Sequence, residues 1–164
     1  MLFRSGLAKW RMGDRAGPPV LKESLRVALA AGEIEHAGRA YVNLIWNLLE
    51  DFSFAEAGRY LIEGIELADT AEHRVFLTYL RVELGLLKLA TGHWDEAIRA
   101  AETGTDAPMS IRSPALVILA RIRLRRGQPG AADLVRQAWE VAEELQELQR
   151  AGPEIGRASC RERV

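Results

Sequence analysis

Between Tyr41 and Asp69 the chain reads YVNLIWNLLEDFSFAEAGRYLIEGIELAD, and no other stretch restricts the fold so strongly. Tyr41, Leu44, Ile45 and Leu48 fall at the three- and four-residue steps that line one face of an α-helix. Val42, Trp46 and Leu49 make a second apolar stripe on the same segment. A helix apolar on two faces has to be covered on both. The spacing therefore predicts an inner helix of a layered array over about Gly38–Glu50. Asp51–Phe52 reads as a turn, and Ser53 with Glu56 as a capping box whose side chains take up backbone N–H groups at a helix start. In the helix that follows, Phe54, Ala57, Leu61, Gly64, Ile65 and Ala68 share one face. Ala57 and Gly64 are small enough to admit a neighbouring backbone.

The same relation returns along the chain. Trp94 and Ala97 repeat Phe54 and Ala57, and Ala101 and Gly104 follow at the offsets of Leu61 and Gly64. Upstream, Gly6–Met12 reads as the end of a helix stopped by Gly13-Asp14. Pro18 and Pro19 suit a first helical turn, and Leu21, Leu25 and Ala28 continue the stripe until Gly32 ends it. Downstream, Thr70-Ala71-Glu72 opens a helix to about Ala90, with Leu80, Leu84 and Leu87 on one face beside the small Gly85. Thr91-Gly92-His93 is the next turn and Ala107-Pro108 a break. Ser113-Pro114 reads as cap and first-turn proline of a helix stopping at Gly127. Ala131–Arg150 closes the series with Ala131, Val135, Ala138 and Ala142 on its stripe.

This pattern resembles the tetratricopeptide (TPR) family on Tyr41, Asn43 and Leu44 in the first helix and on Phe54, Ala57, Leu61 and Gly64 in the second. The corresponding alanines Ala57, Ala97 and Ala131 stand 40 and 34 positions apart, and the second interval is the TPR period. The first implies about six extra residues, placed around Thr70–Phe76. The expectation is an all-α, TPR-like helical-repeat solenoid of about three and a half helix–turn–helix repeats, with a single globular helical bundle as the alternative. Arg81, Lys88 and Arg123 depart from the family by standing where its helices carry bulky residues, which implies rotated or partly uncovered helices.

Both ends read as foreign to this pattern. The tail Glu154–Val164, EIGRASCRERV, resembles the translation of a short-read sequencing adapter, and MLFRS at the start resembles its counterpart. Residues 1–5 and 154–164 are therefore set aside, the latter as an expected disordered tail, and 6–153 is read as a fragment of a larger array. Without them the only cysteine, Cys160, is gone, which excludes disulfides and cysteine-ligated zinc and favours a reducing, cytoplasmic setting. The charge balance becomes 18 basic against 21 acidic residues, net −3, which is no electrostatic footprint for nucleic acid. The longest apolar run, Ala115–Ala120, falls far short of the ~20 residues that span a bilayer.

Motifs of chemistry are not visible. The sequence has no GxxxxGK[ST] phosphate loop, no GxGxxG and no HExxH, so the expectation is a chain without catalytic, cofactor or metal residues. His36, His73 and His93 fall at three separate helix starts or turns. His93 and Glu96 have a spacing compatible with a metal pair, but a turn residue followed by a capping acid accounts for both. Arg121, Arg123, Arg125 and Arg126 form a basic run that either faces a phosphate or ends a helix, where cations favour the dipole.

The TPR resemblance implies a concave side lined by the first helix of each repeat. That side would carry Val42, Trp46, Leu49, Val82, Leu86, Leu89, Val117, Arg121 and Leu124. The chaperone-binding members clamp a terminal carboxylate there with basic and Asn side chains. Aliphatics and Trp46 stand in their place here, so the implied partner is a helix, a hydrophobic peptide or another part of the same parent chain. The competing reading makes the stripe ordinary core between repeats. The segment 113–153 further resembles the TPR-type arrays of large LuxR-type bacterial regulators. That resemblance implies a sensor or scaffold segment beside an ATPase and a helix-turn-helix outside this sequence. The alternative is a stand-alone TPR adaptor. Neither reading puts nucleic acid or a membrane in contact with this segment.

Overall fold

The computed structural model describes residues 6, 8–10, 12–14 and 16–145. Regular structure there is α-helix, and no strand occurs among the described residues. After a helical stretch that includes residues 8–10 come α1 (Gly17–Ala30), α2 (Ile34–Glu50), α3 (Phe54–Thr70) and α4 (Arg74–Ala90). These are followed by α5 (Trp94–Glu102), α6 (Met109–Arg125) and α7 (Ala131–Leu145). The adapter-like ends lie outside the described residues, as does the expected helix from 146 to 150.

One turn design separates all of these helices except α5 and α6. The N–H groups of Glu33, Ser53, His73, His93 and Gln128 donate to the carbonyls of Ala28, Leu48, Ala68, Lys88 and Arg123 at 2.8–3.0 Å. The residue before each, namely Gly32, Phe52, Glu72, Gly92 or Gly127, is left-handed, with φ between 52° and 84°. Its own N–H donates to a carbonyl three residues back. Together these bonds form the Schellman arrangement, which satisfies carbonyls otherwise orphaned at a helix end. The first four left-handed positions recur every 20 residues, and α2, α3 and α4 are each 17 residues long.

That regularity corrects three readings. No extra loop lies near Thr70–Phe76: Thr70 ends α3, Ala71-Glu72 form the same turn as the others, and α4 begins at Arg74. The 40-residue interval from Ala57 to Ala97 is two equal helix-and-turn units. Helix α2 starts at Ile34, one turn before Gly38, because Glu33 already accepts the N–H of Ala37. Ser53 occupies the N-cap position without a side-chain cap bond, and Glu56, its expected partner in a capping box, is turned toward Lys22 at 2.7 Å.

The chain divides into two compact units within α4, after Leu87. In the first, α2 packs between α1 and α3. Its core joins Leu21 and Leu25 of α1, Tyr41, Leu44, Ile45 and Leu48 of α2, Ala57 and Leu61 of α3, and Leu80 of α4. The expected inner helix is thus observed, and the predicted α3 stripe is buried at Ala57, Leu61, Gly64 and Ala68. Two close approaches set this packing. Gly64 lies against Tyr41 and Leu80, and Gly38 lies against the ring of Phe76.

In the second unit α6 packs on α5 and α7. Ala97, Ala101 and Gly104 are buried, in the predicted register. Pro114 is not a first-turn proline. Helix α6 begins five residues earlier, where Ile111 and Arg112 donate to the Pro108 carbonyl, and it carries Pro114 in its interior. A proline there leaves the Ser110 carbonyl without its helical N–H donor. The α7 stripe is also rotated: Ala138, Val141 and Ala142 are buried, Leu134 packs beside Leu116 and Val117, and Val135 is exposed. Leu134 then stands where Ala57 and Ala97 stand in their helices, 37 residues after Ala97 rather than 34. Among the departures from the family, Arg81 and Arg123 are exposed, and the half-buried Lys88 is paired with Glu96 at 2.7 Å.

Candidate functional site

The residues assigned to a groove from the sequence fall into both units. In the first, α2 and α4 carry Val42, Trp46, Leu49, Val82 and Leu86. Val42 and Val82 are buried, whereas Trp46, Leu49 and Leu86 keep part of their surface. In the second, Leu89 and Val117 are buried, Arg121 is half-buried and Leu124 is exposed. The accessible apolar surface among them is therefore that of Trp46, Leu49 and Leu86 in one unit and Leu124 in the other.

The basic run has a defined local partner. The guanidinium groups of Arg125 and Arg126 stand 5.9 and 5.8 Å from the centre of the Trp94 ring. Arg126 also donates to Asp95 at 2.7 Å, and that bond holds the Asp95 carboxyl below the usual range. Planar guanidinium over indole gains both cation–π and stacking contact, so the end of α6 is tied to the start of α5. Trp94 thus has a packing role; Arg123 and Arg125 occupy the last turn of α6 and Arg126 its cap, as the helix-end reading requires, whereas Arg121 lies before that turn.

Two of the three histidines serve turns, while His36 lies in the first turn of α2. His73 Nδ1 accepts the N–H of Phe76 at 3.4 Å and its ring lies 4.3 Å from that of Phe76. His93 Nδ1 is 3.1 Å from the Thr91 hydroxyl, while Glu96 pairs with Lys88. Among the described residues no group of three or more His, Cys, Asp or Glu is gathered as a metal site would need.

What sequence reasoning misses is polar and buried. Glu83 of α4 is 1% exposed, and neither carboxyl oxygen has a hydrogen-bond partner. Burial pushes its carboxyl well above the usual carboxylate range. Three residues after Leu80 and four before Leu87, it interrupts an apolar stripe, and that interruption is the available signal. Asn47 of α2 is also buried, and its side-chain amide donates to the Asn43 carbonyl at 2.6 Å. Ser113 hides its hydroxyl against the Ala138 carbonyl at 3.4 Å. Tyr41 is pushed up to about 12, first by burial and then by the nearby Glu63, to which its hydroxyl donates.

Comparison with protein-family models, curated proteins and solved structures finds no match to this chain.

Proposed function

We propose that this chain is a non-catalytic interaction or scaffold segment built of TPR-like repeats, the sensor or scaffold part of a LuxR-type ATP-dependent transcriptional regulator. The observation that supports it is repetition. Helices α2, α3 and α4 are of equal length, and one turn design recurs every 20 residues from Gly32 to Gly92. A fully buried alanine stands at the same fourth position of α2, α3 and the shorter α5: Ala37, Ala57 and Ala97. Repeats of this kind cover each other's apolar faces and leave one helix face of each for another molecule or another part of the parent chain. Trp46, Leu49 and Leu86, with part of their apolar surface open, are the contact residues favoured in the first unit.

Sequencing the source DNA through both ends of the reading frame tests the regulator assignment. It predicts further repeats, a phosphate loop upstream or a helix-turn-helix downstream. A frame that closes near Gly6 and Arg150 would remove that assignment and leave a stand-alone adaptor for a helical or apolar peptide. Contact through Trp46 has its own readout. Its fluorescence, isolated by replacing Trp10, Trp94 and Trp139 with Phe, should shift when a parent-chain segment or peptide binds.

A further inference from the structure

Among the described residues Glu83 is the one buried acid, and the proposed function gives it no part. An ionised carboxylate at that position would be buried with no hydrogen-bond donor on either oxygen, and groups so placed keep their proton instead. The helices packed on α4 in the first unit offer no compensation. From α2, Asn47 spends its amide on Asn43, and Tyr41 gives its hydroxyl proton to Glu63 of α3. Also on α3, Glu56 pairs with Lys22 and Arg59. On α4 itself Arg81 is exposed and Lys88 is paired with Glu96. Among the described residues no neighbouring charge contributes to the state of Glu83; burial alone does.

We propose that Glu83 is a proton-dependent latch, a neutral carboxylic acid in the folded chain whose ionisation opens the α4 segment around it. The sign follows from where the proton is bound. An unfolded chain releases it near the ordinary value of 4.5, whereas the folded chain retains it to higher pH. Stability from this group is therefore fully present below about 4.5. It falls as pH rises, by about tenfold in the folding constant per pH unit, until the folded value is passed. Opening uncovers Val82, which is otherwise buried beside it.

The test compares the full chain with Glu83→Gln and Glu83→Leu in thermal unfolding from pH 5 to pH 8 at constant ionic strength. The difference titrates Glu83 alone, because every other group is common to all three proteins. The unsubstituted chain should lose melting temperature relative to both variants as pH rises, and the two variants should stay parallel. Curves of all three proteins that run parallel across the range would overturn the proposal. Should Glu83→Gln fail to fold, the comparison with Glu83→Leu decides the matter in the same way. Hydrogen exchange gives a second reading. Amides of residues 80–86 should speed up with pH beyond the base-catalysed increase seen at the same amides of the folded variant, and an equal increase would also overturn the latch.

Discussion

Gly38 and Gly58 occupy the same fifth position of α2 and α3, yet the same substitution should act on them in opposite directions. Replacing glycine by alanine inside a helix removes backbone freedom from the unfolded chain and gains ~1 kcal/mol. At Gly58 the new β-carbon would meet only Leu87, at 3.7 Å, an ordinary contact. Gly58→Ala should therefore realise about 0.5–1 kcal/mol. At Gly38 it would stand 2.5–2.7 Å from three ring carbons of Phe76. That ring packs against the first-unit core and on His73, so it cannot swing away without losing both contacts. Overpacking of this kind costs ~1–3 kcal/mol, and three close atoms argue for the upper half of that range. After the helix gain is subtracted, Gly38→Ala should lose about 1–2 kcal/mol. For a chain of this size 1 kcal/mol corresponds to about 2–4 °C. Circular dichroism melts of the two single variants at one pH are sufficient. Gly58→Ala should melt a few degrees above the parent and Gly38→Ala a few degrees below. Two upward shifts would refute the argument, because propensity alone would then explain both, and two downward shifts would refute the open space at Gly58.

Three further substitutions test other parts of the structure. Ala57→Leu inserts a large side chain at a position with no exposed surface, and a loss of ~1–3 kcal/mol is expected in denaturant unfolding; an unchanged midpoint would remove Ala57 from the core. Glu72→Gly relieves a left-handed backbone at an exposed turn, where L-residues lose ~1–2 kcal/mol, and should raise the melting temperature slightly despite glycine's entropy. A lowered melting temperature would mean that Glu72 has a stabilising contact which outweighs its strain. Glu63→Gln removes the charge that helps hold Tyr41 up at about 12, so absorbance titration should show earlier ionisation, still above the ordinary 10 because burial remains the larger cause. An unmoved midpoint would show that Glu63 is not beside the Tyr41 hydroxyl.

Much of the helical pattern is legible because it is local. The stripe Phe54, Ala57, Leu61, Gly64 and Ala68 defines one face of α3 whatever it packs on, and it is the face that is buried. Gly32, Gly92 and Gly127 announce their turns, since glycine enters the left-handed region without strain. Phe52 and Glu72 take up the same conformation without that signature. For this reason sequence spacing alone misplaces the turn before α4 and turns a regular interval into an insertion. Pro114 misleads for the opposite reason: a strong local signal is overridden by the packing of Ile111 and Ser113 in the turn before it. For the candidate site, periodicity puts Val42, Trp46, Leu49, Val82 and Leu86 on particular helix faces, but it cannot say which of them keep surface.

The all-helical class, the helix faces and most turns can be read along the chain, because they depend on spacing and on the backbone preferences of single residues. Tertiary structure alone decided that Gly38 is crowded while Gly58 is not, and that Glu83 rather than a neighbour is enclosed without a partner. Those outcomes depend on which atoms of distant helices arrive at the same place, and three- and four-residue periodicity carries no record of that.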